Sequence, residues 1–284
     1  MIAKLKLYGQ LVRLDKPIGI LLLLWPTLWA LFAAAEGMPN LHILLVFILG
    51  TVLMRSAGCA MNDYFDRNVD PHVARTRHRV LATGAIKPRE ALYVAAVLGL
   101  VSFILVLSTN TLTILLAMIA ALLAITYPLF KRFFAIPQAY LGIAFGFGIP
   151  MGFAAIQDHI PPVAWLLLSA NVFWAIAYDT EYAMVDRDDD LRLGVKSSAI
   201  TFGRYDVLIV GLCYAMTFVL LGIAGAWLEY RWIFYTALSV AAVIAAQHLS
   251  WIKGRDRQAC FKAFINNTWI GAVIYIGIAL EVLY

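Results

Sequence analysis

The chain has 284 residues, 63% hydrophobic and 14% charged, with a formal net charge of +5. A water-soluble domain carries about a quarter charged residues, so this composition excludes one and describes an integral membrane protein with little mass outside the bilayer. The positive charge gives no reason to expect nucleic acid, because the basic residues lie in short loops between apolar runs, where anionic lipid headgroups are the nearer partner.

A hydrocarbon core about 30 Å thick is crossed by about 20 helical residues. Nine segments meet that length, at 18–35, 41–63, 91–107, 111–127, 139–156, 163–178, 207–227, 232–251 and 263–283. The expected fold is therefore all-α and polytopic, one transmembrane domain over residues 1–284. The first apolar run has no clear processing site and reads as a retained helix. All but two of the 22 lysines and arginines fall on the side of the N-terminus and the longer loops; the exceptions are Arg231 and Arg55. Lysine and arginine accumulate on the cytoplasmic side of membranes, so those loops are expected to be cytoplasmic. Cys59, Cys213 and Cys260 are far apart, in no metal or redox spacing, and read as packing residues.

Two acidic stretches interrupt the apolar pattern on that side. "NDYFDRNVD" ends the second span and "YDTEYAMVDRDDD" ends the sixth. At helical spacing Asn62, Asp66 and Asp70 form one stripe with Asp63 beside it, and Asp179, Asp186 and Asp190 form another. Unpaired carboxylates at a membrane edge repel and are costly to ionise near lipid. Two such stripes call for a cation between them, and oxygen-only donors suit a hard ion such as Mg²⁺ that shares itself with phosphates. Asp188 and Asp189 read as solvated helix-end residues. Cationic residues surround the stripes: Arg75 and Arg79 after the second span, Lys131 and Arg132 after the fourth, Lys196 after the sixth. Guanidinium forks and ammonium charges of this density suit a diphosphate. Arg55 lies about two turns deeper on the face of Asn62 and Asp66. A mid-span arginine costs about 2.5–3.5 kcal/mol to insert, so it calls for a partner, either a structural carboxylate or carbonyl or an anionic group on a substrate, and its place along the acidic face favours the second.

These segments resemble the UbiA family of intramembrane prenyltransferases, most closely its hydroxybenzoate branch. "RLDKPIGILLLLWPTLWAL", "RSAGCAMNDYFDRNVD", "YPLFKRFFAIPQAYLG" and "AYDTEYAMVDRDDDLRLGVKSSAI" carry the likeness over nearly the whole chain. The resemblance implies nine helices around a central cavity, a polyprenyl diphosphate donor, a 4-hydroxybenzoate acceptor, Mg²⁺ and a place in ubiquinone biosynthesis. It implies that Asn62, Asp66, Asp70, Asp186 and Asp190 hold metal, with Asp63 and Asp179 supporting or completing its shell. Arg75, Arg79, Lys131, Arg132 and Lys196 would neutralise the leaving group. Arg55 would hold the acceptor carboxylate, with Arg132 the competing candidate. The resemblance and the lack of a transit-like leader imply a bacterial inner membrane. Other acceptors of the same fold (naphthoate, haem, homogentisate, chlorophyllide) would retain both stripes. A cation channel or transporter fits less well, since the acids gather at one membrane edge. The glycines Gly142, Gly146, Gly148 and Gly152 of the fifth span read first as helix-packing positions.

Overall fold

A computed structural model describes residues 2–130, 134–194 and 196–284. Among these residues there is no strand, and twelve α-helices follow one another: α1 (Ile2–Leu11), α2 (Ile18–Ala35), α3 (Leu41–Asp66), α4 (Pro88–Val106), α5 (Thr111–Phe130), α6 (Pro137–Gly146), α7 (Gly148–Gln157), α8 (Pro162–Leu193), α9 (Ser198–Phe202), α10 (Asp206–Trp227), α11 (Trp232–Ile252) and α12 (Arg257–Leu283). Nine segments among the described residues are long and apolar enough to cross a membrane. Helix starts follow local chemistry. Proline begins α4, α6 and α8, where its missing N–H costs nothing. Asn40 caps α3 by accepting the His42 N–H at 2.8 Å, and Asp256 caps α12 by accepting that of Ala259 at 2.9 Å.

Three departures from the sequence reading have physical causes. The fifth crossing is one span but two helices, α6 and α7, joined at Phe147. Pro150 has no N–H for the Gly146 carbonyl one turn back, so the helix breaks there. The first acidic stripe does not continue to Asp70. Helix α3 stops at Asp66, and Asp70 begins a separate 3-10 turn with Pro71. Pro71 has no N–H for the Arg67 carbonyl one turn back and its ring would clash with that carbonyl, so the α-helix does not run on through Asp70. Helix α1, which precedes the first expected span, packs Leu11 against Ala57, Ala60, Val80 and Leu81, and the Tyr8 hydroxyl donates to Glu90 at 2.6 Å.

Helices α2, α7, α8, α10, α11 and α12 share one continuous core that includes Trp29, Phe153, Trp174, Tyr178, Leu221, Phe234 and Ile274. Trp29 and Trp174 stack at 5.4 Å. Glycine allows the close approach of α6 to α8: a Cβ on Gly142 would stand 2.9 Å from the Val172 Cα, and the Asn171 amide donates to the Gly142 carbonyl at 2.9 Å. The packing expectation for the glycines of this span holds in the same way for Gly146, Gly148 and Gly152, which face Asn171, Thr27 and Ala30. The three cysteines are buried and unpaired. Polar groups inside this core satisfy one another. Tyr214 donates to Glu181 at 2.9 Å, Asn267 donates to the other Glu181 oxygen at 2.7 Å, and Trp174 donates to Asn267 at 2.9 Å. A buried carboxyl is tolerable only with such partners.

Candidate active site

A cavity of about 1640 Å³ lies among α2, α3, α4, α5, α6 and α8. Along α3 its lining runs from Val46 and Phe47 to Asn62 and Asp63, about 25 Å of helix. Polarity changes along that length. Near the end of α3 the lining includes Asn62, Asp63, Arg75, Arg79 and Asp179, with Arg13 from the turn after α1. Further in, small residues of α4 and α5 (Ala96, Gly99, Ala117, Ala121) and apolar ones such as Phe103 and Val106 replace them.

The first acidic stretch is met by arginines. Arg13 reaches both Asp63 oxygens with one terminal nitrogen, at 2.8 Å each. Arg79 lies 3.1 Å from Asp63 and 3.0 Å from Asp70, and so ties the helix end to the turn that follows it. Asp63 is buried to 1% exposure and Asp70 to 4%. Burial raises the Asp70 carboxyl above the usual carboxylate range; Arg79 opposes this, while Asp66 and Asp63 add to it. The backbone of the turn is closed by the Thr76 hydroxyl, which donates to the Asp70 carbonyl at 2.9 Å.

The second stretch lies on one unbroken helix. Asp179, Asp186 and Asp190 all fall within the 32 residues of α8. Arg75 crosses from the loop after α3 and donates from Nε to both Asp186 oxygens at 2.9 and 3.0 Å. Its guanidinium lies 4.3 Å from the Tyr182 ring centre, and Tyr182 stacks on Phe264 of α12 at 4.3 Å. Arg75 is thus the link between the two stretches. Asn62, Asp66, Asp179 and Asp190 are half-buried, and Asn62 and Asp179 face the cavity. Lys196 is exposed beyond the end of α8. Lys131 and Arg132 lie outside the described residues. Among the described residues, no three acidic, histidine or cysteine side chains stand together at metal-binding spacing.

Deeper in the cavity, Arg55 has no hydrogen bond or ion pair among the described residues. Its guanidinium lies over the Phe145 ring, 5.1 Å from the centroid. Tyr127 and Tyr178 line the wall near it, and both are within electrostatic reach of Arg55 and Asp179. The Tyr178 hydroxyl is buried with no hydrogen-bond partner among the described residues. Of the residues the pattern points to, Arg55, Asn62, Asp63, Arg75, Arg79 and Asp179 line the cavity, whereas Asp66, Asp70, Asp186, Asp190 and Lys196 are not among its lining residues. The pattern passes over Arg13, Tyr178 and Tyr182, and reads Phe145 only as part of the apolar wall formed by "AFGFGIPMGF". Arg13 opens the segment "RLDKPIG", which served only as a point of resemblance; the aromatics are indistinguishable in sequence from lipid-facing ones.

Residues 23–271 match the UbiA prenyltransferase family. The 4-hydroxybenzoate octaprenyltransferase of Azoarcus sp. is 60% identical over 280 residues, 99% of this chain and 98% of that one. Two solved structures share the fold. A UbiA homolog from Aeropyrum pernix, in its apo form, has a TM-score of 0.81 at 24% identity, covering 93% of this chain and 98% of that one. A UbiA homolog from Archaeoglobus fulgidus, bound to DMAPP and Mg²⁺, has a TM-score of 0.73 at 19% identity, covering 97% and 98%.

Proposed function

We propose, for a chain that belongs to the UbiA prenyltransferase family, that it transfers a polyprenyl group from its diphosphate to the ring carbon ortho to the hydroxyl of 4-hydroxybenzoate, in ubiquinone biosynthesis. One observation carries this reading: a single cavity joins a carboxylate- and arginine-rich end, an arginine deeper in that pairs with no anion among the described residues, and an apolar stretch walled by small residues.

The donor set fits a hard cation. Asn62, Asp66, Asp70, Asp186 and Asp190 offer oxygen alone and come from two helices and one turn, with Asp63 and Asp179 in support. Mg²⁺ held there would supply positive charge that stabilises the departing diphosphate. Arg75 and Arg79 stand where their forks can turn from carboxylate to diphosphate oxygens, and Lys131, Arg132 and Lys196 belong to the loops on the same side. As the donor's carbon–oxygen bond breaks, its electron pair leaves with diphosphate and the first prenyl carbon becomes an allylic cation. The acceptor's ring carbon supplies the electrons of the new carbon–carbon bond, then gives up its proton to a base, for which the second acidic stretch is a candidate. Arg55 holds the acceptor carboxylate and so decides which ring carbon faces the cation. The apolar stretch receives the prenyl chain and keeps water from the cation. The likeness to bacterial relatives such as that of Azoarcus sp. supports a bacterial inner membrane, and the lysine and arginine asymmetry supports a cytoplasmic side for both acidic stretches.

The test is transfer in detergent from geranyl diphosphate to radiolabelled 4-hydroxybenzoate, with and without Mg²⁺, by wild type and Asp66→Ala. Product that requires both Mg²⁺ and Asp66 is the expected result. A folded wild type that makes none, yet prenylates naphthoate, haem or homogentisate, would replace the acceptor.

A further inference from the structure

Arg55 is confined on two sides. The ring of Phe145, on α6, lies beside the Arg55 Cζ, 5.1 Å from the centroid. The bare backbone of Gly19, in the first turn of α2, meets the guanidinium along the edge that carries Nε and one terminal nitrogen. A Cβ built on Gly19 would stand 2.6 Å from an Arg55 terminal nitrogen, 2.8 Å from Nε and 3.1 Å from Cζ. Three atoms of one guanidinium crowd that single position. Ordinary contact begins near 3.5 Å, so a methyl group there would displace the guanidinium by roughly 1 Å. Gly19, Arg55 and Phe145 come from three different helices, and all three line the cavity.

We propose that Gly19 and Phe145 form a slot that holds the Arg55 guanidinium in one orientation, and that Gly19 is thereby a positioning residue for recognition of the acceptor's carboxylate. The inference rests on the reading of Arg55 as the acceptor's partner. A guanidinium recognises a carboxylate best through two parallel N–H donors, which requires its plane to be fixed. A free arginine side chain would lose conformational freedom on binding. One already held in a slot loses less, and the acceptor meets a fork that is set in advance. The slot also suits a mid-span cation that pairs with no anion among the described residues: the Phe145 ring and the Gly19 backbone border it, and the rest of its fork meets no hydrogen-bond partner there.

Substitution at Gly19 separates this function from folding. The crowded atoms are the far end of a flexible side chain, so Gly19→Ala can be accommodated by moving Arg55 alone. The experiment measures initial rates with Mg²⁺ and geranyl diphosphate, varying 4-hydroxybenzoate and, separately, its neutral amide 4-hydroxybenzamide. Gly19→Ala is expected to raise the KM for 4-hydroxybenzoate about tenfold, to narrow the preference for carboxylate over amide by a similar factor, and to leave the donor KM within about twofold. Phe145→Leu, which removes the ring beside the guanidinium, is expected to act in the same direction. Arg55→Ala should lose at least as much, and adding Gly19→Ala to it should cost nothing further, because a slot without its guanidinium has no role. Gly9→Ala, where a methyl group meets nothing, serves as the control. If Arg55→Ala raises the acceptor KM while Gly19→Ala and Phe145→Leu both match wild type, the slot is overturned and the acceptor reading survives. If Arg55→Ala leaves the acceptor KM unchanged, the acceptor reading falls and takes the slot with it.

Discussion

The two acidic stretches look alike as strings of residues and are built differently. The second lies along α8, whose other faces are packed: 61% of that span's apolar window is buried, against 33% for α3 and 17% for α4. The first is a helix end followed by a turn. It has its own arginine, Arg79, bound to Asp63 and Asp70, and a second from the N-terminal segment, Arg13. Helix α8 supplies carboxylates but receives its cavity-side arginine from the other stretch, through Arg75. One stretch is therefore a fixed rail, and the other is a folded loop that brings the cations to it. A donor diphosphate entering between them would meet carboxylates on the helix side and guanidiniums on the folded-loop side.

That division predicts unequal consequences. The largest effect belongs to the carboxylates themselves: Asp186→Ala should lower kcat about 10²–10³-fold, read in the same Mg²⁺-dependent transfer assay. A loss of under about threefold would mean that α8 is scaffold and that the first stretch acts alone. A middling effect is expected at the link. Arg75→Lys keeps the charge but not the fork that spans both Asp186 oxygens, so the donor KM should rise about tenfold while the acceptor KM holds. If Arg75→Lys moves the acceptor KM instead, the arginine belongs to the acceptor's side of the cavity and the rail-and-loop division is wrong.

How far the sequence revealed this follows from what each level of structure depends on. The spans were legible because hydropathy over about 20 residues reflects the bilayer alone. The stripe along α8 was legible because nothing breaks the helix between Asp179 and Asp190, and helical spacing therefore holds throughout. The stripe through Asp70 was not, because Pro71 ends the pattern and the position of Asp70 then depends on Arg79 nine residues later. Arg13 was hidden for a related reason. It has φ of 61°, a left-handed turn that no local pattern announces, and its partner Asp63 is fifty residues away. Phe145 and Gly19 acquire meaning only from Arg55, across helix contacts that hydropathy does not encode.

The packed face of α8 offers a smaller effect of a different kind. Glu181 accepts hydrogen bonds from Tyr214 and Asn267 and is fully buried, on the side of the helix away from the cavity. Tyr214→Phe removes one donor and should destabilise the protein by about 1–3 kcal/mol, seen as a lower thermal midpoint in detergent. Acceptor and donor KM at temperatures well below that midpoint should not move. A changed KM with an unchanged midpoint would show that the buried network reaches the cavity, and that α8 is less rigid than its burial implies.

The smallest effect lies where the rail ends. Helix α8 stops at Gly194, whose φ of 67° is left-handed and whose N–H bonds the Asp190 carbonyl. An alanine there pushes its Cβ toward the following carbonyl oxygen and costs about 1 kcal/mol; asparagine, which tolerates this conformation better, should cost less. The loss is local, since the last turn of a helix can fray without disturbing the rest. Because that turn contains Asp190, Gly194→Ala should reduce transfer about twofold, with Gly194→Asn between it and wild type. The ratio of that loss to the one from Asp186→Ala is the informative quantity. If fraying the end costs as much as removing Asp186 one turn earlier, the carboxylates depend on the helix terminus, and α8 behaves as a second folded end instead of a rail.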